Sequence, residues 1–209
     1  MLHKEIVDKS TFELLKSLQS KPYLKGFHLT GGTALALRLG HRKSVDLDLF
    51  SNFSFNEMYI LENLTNDYNY NLFYSSKNTL KGSIDNVKID IIAHRYNLIG
   101  KQVDVDGISM LSMKDIAAMK LNAITVSGQR VKDFIDIFYL LKHFSLMEMI
   151  SFYQKKYKQY NEYNVLKSLI YFNDIDFSDW PQMTTEIDWN IIKNKLEKEV
   201  FNFITGKQF

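Results

Sequence analysis

Gly31-Gly32-Thr33-Ala34-Leu35-Ala36-Leu37, then Arg42-Lys43-Ser44-Val45-Asp46-Leu47-Asp48-Leu49, is the stretch on which the reading of this chain turns. A diglycine follows an apolar run, a short helical segment comes next, and two carboxylates then stand two residues apart among apolar neighbours. Residues i and i+2 of a strand point to the same face. Asp46 and Asp48 are therefore expected side by side, with Val45, Leu47 and Leu49 turned to the core. Adjacent carboxylates repel each other and raise one another's pKa unless a cation lies between them. Hard oxygen ligands suit Mg²⁺, which takes one or two carboxylates and completes its shell with water and substrate phosphates. The spacing thus points to phosphate chemistry.

Working outward, a third carboxylate fits the first two. Asp90 stands in the apolar run Val87-Lys88-Ile89-Asp90-Ile91-Ile92, where a charge is costly unless paired. If that strand lies beside the first, Asp46, Asp48 and Asp90 converge and can hold two metal ions for in-line displacement at phosphorus. Asp90 then serves as ligand and as general base. The Gly31-Gly32 turn lets backbone N–H groups approach phosphates, and the helix N-terminus behind it, from Thr33, attracts anions. Arg42, Lys43 and Ser44 stand just before the carboxylate strand, placed to contact β- and γ-phosphates. Further on, Lys120 lies in Ala117-Ala118-Met119-Lys120-Leu121, and Arg130, Lys132, Asp133 and Asp136 follow. Asp133 and Asp136 share a helix face, and Lys120 is expected to reach over a cleft to a triphosphate, oriented by one of them.

Each feature has a plainer explanation when taken alone. A Gly-Gly pair is most often a turn, an Asp-x-Asp a surface pair, a lone lysine a snorkelling side chain. Asp133 and Asp136 can pair with Arg130 or Lys132 for about 0.2–0.5 kcal/mol. The ordered combination is what points to a site.

The chain has 209 residues, enough for one sizeable core or a domain with a helical extension. A net charge of +2 confines any nucleic-acid surface to a local patch. The lack of cysteine excludes disulfides, thiolate metal sites and a cysteine nucleophile, and fits a cytoplasmic protein. The N-terminus has no apolar segment of the secretory kind. No apolar run approaches ~18 residues, so no membrane span or membrane partner is expected.

The pattern predicts an amphipathic helix over Lys4–Leu18 ended by Pro22, a short strand Gly26–Leu29, a helix Thr33–Leu39 and a strand Val45–Phe50. A helix Asn56–Asn66 follows, then strands Tyr68–Ser75, Thr79–Ile84 and Val87–Ala93, with Asp85-Asn86 as a hairpin turn. From Ser112, which opens a capping box with Asp115, helices dominate: one through Ile124, then Lys132–Phe144, Leu146–Lys158, Tyr163–Phe172 and Trp189–Ile204, with a loop at Asn173–Met183. An α/β (α+β) half with a mixed sheet, residues 1–110, is thus followed by a helical half, residues 111–209. The basic, aromatic segment Tyr153–Tyr160 is either an RNA-contacting strip or a solvated helix face.

These motifs resemble those of the AbiEii-type nucleotidyltransferase toxins, within the polymerase-β-like nucleotidyltransferase superfamily. Gly31–Leu35 with His41–Phe50 is similar to the family's first motif and Lys88-Ile89-Asp90 to its second. Met119–Ile124 with Arg130–Ile137 is similar to the third and fourth. The match runs from about Phe27 to Leu141; residues 1–25 and 143–209 carry no matched motif. The resemblance implies a catalytic domain over 1–110 and a helical domain over 111–209 that closes the cleft. It implies a bacterial toxin of a toxin–antitoxin and abortive-infection system, transferring a nucleotide from an NTP to an RNA acceptor, in some relatives the tRNA 3′ end. It implies Mg²⁺, with Mn²⁺ as an alternative, held by Asp46, Asp48 and Asp90. Gly31, Gly32, Thr33, Arg42, Lys43, Ser44, Lys120, Arg130 and Asp133 are implied to bind the nucleotide. Lys120 is also implied to act in catalysis, with an aspartate that the pattern leaves between Asp133 and Asp136, Asp136 being preferred. A cognate antitoxin encoded nearby is implied as partner. Two other readings remain: the same transfer to a small molecule or a protein hydroxyl, and a non-catalytic interaction module with the same fold.

Overall fold

The computed structural model describes residues 2–158 and 160–206. The chain divides into two compact units, Met1–Ser112 and Met113–Phe209, and the architecture is α/β. No helix among the described residues is long and apolar enough to cross a membrane.

The first unit is built on a mixed seven-stranded sheet. Its strands are β1 His28–Thr30, β2 Leu47–Ser51, β3 Tyr70–Ser76, β4 Thr79–Ile84, β5 Val87–Ala93, β6 Val103–Val105 and β7 Ile108–Met110. They lie in the order β3-β4-β5-β2-β1-β7-β6. Alternation decides which way each strand faces. Leu47 and Leu49 of β2, Ile89 and Ile91 of β5, Leu80 of β4 and Leu29 of β1 are fully buried. Burying one such side chain contributes about 1.5–3 kcal/mol, and a one-residue slip would turn all of them outward. Helices α1 Lys9–Ser20, α2 Gly31–Leu39 and α3 Glu57–Asp67 pack against the sheet. Phe12, Leu15 and Leu18 of α1 form the buried stripe that the 3.6-residue period predicts.

Several expectations change in the structure. The helix expected over Lys4–Leu18 is a 3₁₀ turn, Lys4–Ile6, and a separate α1, with Val7 and Asp8 extended between them. Ile6 and Val7 are both buried, and Val7 at φ −124° and ψ 140° carries the chain out of the turn in an extended conformation. Val45 is 52% exposed because β2 starts only at Leu47, leaving Val45 and Asp46 before the strand. The β6–β7 hairpin fills a stretch to which the pattern assigned no element. Its signal was present: Asp106-Gly107, with φ of 54° and 78°, is a two-residue turn matched to strand twist. The Asp85-Asn86 turn between β4 and β5 is of the same kind, with φ of 48° and 66°.

The second unit is helical. α4 Met113–Val126 packs against α5 Val131–Leu140, α6 Leu146–Lys156 and α7 Glu162–Leu169, and α8 Trp189–Thr205 lies against α5, α6 and α7. α5 stops at Leu140, four residues before its expected end at Phe144. Ser145 then opens α6 with a capping box, its hydroxyl accepting from Glu148 N and the Glu148 carboxylate from Ser145 N. The Asn173–Met183 loop holds a 3₁₀ turn, Phe177–Asp179, tied back by Asp176 N donating to Gln129 O at 2.8 Å. Phe134, Phe172 and Phe177 make edge-on contacts to Trp189, with centroids 6.1, 5.5 and 5.1 Å away, and tie α5, α8 and the loop between α7 and α8 together.

His28 links β1 to β7 through its Nδ1 and Ser109 Oγ at 2.8 Å. Burial pushes its imidazole below the ordinary value near 6.5, against a weaker upward pull from the Asp104 charge. The fold therefore favours neutral His28. That stability is fully present above the unfolded value and is lost as pH falls through the folded one. Melting curves taken between about pH 7 and pH 5 should show the wild type losing more stability than His28→Asn; equal losses would exclude His28 as the source.

Candidate active site

The pairing of β2 with β5 brings two of the three expected carboxylates together. The strands run parallel with Asp48 opposite Asp90, and Leu47 and Leu49 opposite Ile89 and Ile91. Because the leucines and isoleucines fill the core face, both aspartates point to the opposite face. Asp46 is exposed and lies one residue before β2. Asp90 meets Lys81 of β4, its register partner, with Nζ to Oδ2 at 3.0 Å. Among the described residues no three carboxylate or imidazole side chains stand as a ready metal cluster.

On the other side of β2, Thr30 of β1 pairs with Asp48 and leads into the glycine turn. Gly31 opens α2 with φ of 67°, and a Cβ there would overlap the Asp48 carboxylate. A Cβ at Gly32 would overlap the Arg42 guanidinium, with Ser44 Oγ just beyond at 3.6 Å. Gly31 is thus required by backbone conformation and close approach, while a side chain at Gly32 would displace the Arg42 guanidinium. The turn is a cradle of small residues between a carboxylate and a buried guanidinium. Thr33 ties it to the strand: its hydroxyl lies 2.8 Å from Ser44 Oγ and donates to the carbonyl of Asp46. Arg42 Nη1 donates to Lys43 O at 3.1 Å, and Lys43 Nζ donates to Glu5 O at 2.5 Å, engaging the N-terminal segment.

The oxygen-only donors Asp48 and Asp90, in register and with the Asp48 carboxylate held against the Gly31 turn, fit a hard divalent cation such as Mg²⁺. Sequence reasoning missed Lys81. Its signal was the single charge in Thr79–Ile84, at a position of the polar alternation.

In the second unit, Lys120 of α4 is buried and ion-paired to both helix α5 aspartates. Nζ lies 2.6 Å from Asp133 Oδ1 and 2.7 Å from Asp136 Oδ2. Asp133 and Asp136 are one turn apart and face α4 together, as the i, i+3 spacing predicts. Arg130 caps α5 and is exposed. A second buried pair joins α6 to α4: Lys156 Nζ to Asp115 Oδ1 at 2.8 Å, with neither side chain more than 1% exposed. Lys156, Tyr153 and Tyr157 are therefore interior residues. Within the Tyr153–Tyr160 strip the rings at 153 and 157 are buried, and Tyr153 reaches α4 through its hydroxyl to Asn122 Oδ1 at 3.2 Å, so neither presents a face for base stacking. Gln159 within it lies outside the described residues.

The chain matches known proteins over most of its length. A family model described as nucleotidyl transferase AbiEii toxin, type IV TA system, matches residues 13–202. An uncharacterized protein of Aquifex aeolicus is 36% identical over 173 residues, covering 79% of this chain and 83% of that protein. Two solved structures share the fold. A Helicobacter pylori protein, JHP933, has a TM-score of 0.55 at 16% identity, covering 97% of this chain and all of that one (100%). The nucleotidyltransferase toxin MenT4 of Mycobacterium tuberculosis has a TM-score of 0.54 at 13% identity, covering 93% and 84%.

Two substitutions test this geometry. Gly31→Ala adds about 1–2 kcal/mol of left-handed strain and pushes on Asp48, so both melting temperature and Mn²⁺ affinity should fall; unchanged Mn²⁺ affinity would separate Gly31 from the carboxylate. Lys120→Ala removes the ammonium paired with two buried carboxylates and should cost about 3–5 kcal/mol in urea denaturation. A loss under about 1 kcal/mol would show that water reaches the cluster.

Proposed function

The chain belongs to the AbiEii nucleotidyltransferase toxin family of type IV toxin–antitoxin systems, and from this premise we propose that it transfers a nucleoside monophosphate from an NTP to an RNA 3′ end, with tRNA as acceptor, in an Mg²⁺-dependent reaction. It is a nucleotidyltransferase by family; the metal and the acceptor are the proposal. The observation that carries it is the Asp48–Asp90 register beside the Gly31 turn.

In this reading the terminal hydroxyl of the acceptor attacks the α-phosphorus. A new P–O bond forms, the bond to the bridging oxygen breaks, and pyrophosphate leaves with the electron pair. Asp90 takes the hydroxyl proton. Asp48 and Asp90, with Asp46 as the third carboxylate, would hold Mg²⁺ or Mn²⁺, which when bound would supply positive charge to offset the negative charge developing at phosphorus and to lower the pKa of the hydroxyl. Gly31, Gly32, Thr33, Arg42 and Ser44 bind the triphosphate through backbone N–H groups, a guanidinium and hydroxyls. Thr33 and Ser44 join the reading by position at the turn: their hydroxyls hold each other and the Asp46 carbonyl in this structure, and would exchange those partners for phosphate oxygens. Lys43 joins them in the reading by position alone, its ammonium being on Glu5 O. Lys120, Arg130, Asp133 and Asp136 enter only through the family resemblance. The type IV toxin–antitoxin description supports a cognate antitoxin, and a tRNA acceptor supports a cytoplasmic site of action.

Purified protein with Mg²⁺, total bacterial tRNA and each α-labelled NTP in turn should place label in tRNA. Asp48→Asn keeps the shape and removes a charge, so it should reduce labelling to the protein-free level with little change in melting temperature. Label in a small molecule or a protein, with none in RNA, would replace the acceptor. Near wild-type labelling by Asp48→Asn would overturn the metal assignment.

A further inference from the structure

The strand registers line up one residue from each of five strands across the carboxylate face. Tyr74 of β3 pairs with Lys81 of β4, Lys81 with Asp90 of β5, Asp90 with Asp48 of β2, and Asp48 with Thr30 of β1. Direct cross-strand partners share a face, so these side chains form one row running from the sheet edge to the glycine turn. A bulge sets its outer end. Leu72 pairs with Gly82, and an unbroken ladder would then put Phe73 opposite Lys81; the register shift between Leu72 and Tyr74 puts Tyr74 there instead. Bulges of this kind re-aim side chains beside functional sites. Tyr74 is 54% exposed, and no charged residue lies anywhere in β3. In β4 and β5 the charges are Lys81, Lys88 and Asp90, all at positions of the same alternation. The face next to Asp90 is thus cationic and aromatic.

We propose that Tyr74 and Lys81 form the acceptor subsite, in which the Tyr74 ring stacks on a base at the 3′ end of single-stranded RNA and Lys81 binds its phosphate. The inference rests on the RNA reading above and adds where that RNA lies. Neighbouring strands stand about 4.8 Å apart, which sets Tyr74 about 10 Å from Asp90 across the row, room for one nucleotide between ring and base. An aromatic ring beside a cation is the pairing that single-stranded nucleic acid uses without base readout. Lys81 has two states in this scheme. Without RNA its ammonium pairs with Asp90 at 3.0 Å. When Asp90 turns to the attacking hydroxyl, Lys81 exchanges that carboxylate for the acceptor phosphate. The side chain of Lys81 is 44% exposed, so the exchange needs no unfolding.

The test reads binding apart from chemistry. A 5′-fluorescein single-stranded oligoribonucleotide with a free 3′ end is titrated with the full chain and followed by anisotropy, at several salt concentrations. Tyr74→Ala should weaken binding about 5- to 150-fold, the loss of one stacked base. Tyr74→Leu should be equally weak, since it keeps the bulk and lacks the ring, and Tyr74→Phe should recover most of the affinity. Lys81→Ala should make the slope of log K against log salt shallower by about 0.7, one phosphate contact. In the transfer assay both alanine variants should raise KM for RNA while KM for the NTP stays put. If the wild type labels tRNA but Tyr74→Ala and Tyr74→Leu bind the oligonucleotide like the wild type, the subsite is wrong and the RNA reading stands. If the wild type neither labels tRNA nor binds the oligonucleotide, the RNA reading fails and the subsite falls with it.

Discussion

The parallel pairing of β2 with β5 is the constraint on which the rest of the first unit depends. Leu47, Leu49, Ile89 and Ile91 are fully buried on one face of this pair. Strand geometry then leaves Asp48 and Asp90 only the other face. Apolar burial and carboxylate placement are thus one event. The hydrophobic effect specifies the register, and the register specifies where the charges meet. A slip would cost the core and the site together.

The two units manage charge in different ways. At the sheet, carboxylates stay partly exposed: Asp90 takes Lys81, a neighbour that can leave, and Asp48 lies against the fixed backbone turn at Gly31. In the helical unit, charges are taken fully inside and fixed. Lys120 with Asp133 and Asp136, and Lys156 with Asp115, join α4 to α5 and α6. Such pairs add little net stability over apolar residues of the same shape, yet removing one partner is severe. They specify which helix faces which, because a rotated helix would strand a charge.

The turn chemistry and the helical periodicities were legible as sequence. Asp85-Asn86 and Gly31-Gly32 each mark a place where the backbone takes left-handed angles or approaches another group, and only a few residue types allow that; Asp106-Gly107 carries the same signal, which the sequence reading passed over. The stripe Phe12, Leu15, Leu18 and the paired Asp133 and Asp136 followed from a fixed period. Boundaries were less legible. Val45 was expected inside and lies outside, since nothing local tells a strand where its partner begins. The segment holding Lys156 and Tyr153 read as either an RNA-contacting strip or a solvated face, and both residues are interior, because a lysine's burial depends on a carboxylate at Asp115, far away in the chain.

The sequence by itself determined the alternation that sorts apolar from charged residues on each strand, the glycine positions and the family motifs, since these are properties of neighbours in the chain. Only the tertiary structure decided that Asp48 lies opposite Asp90, that Lys81 pairs with Asp90, and that a bulge delivers Tyr74 to the same row. Those facts are cross-strand registers. They are set by which apolar side chains pack together across the sheet, and no single segment contains that information.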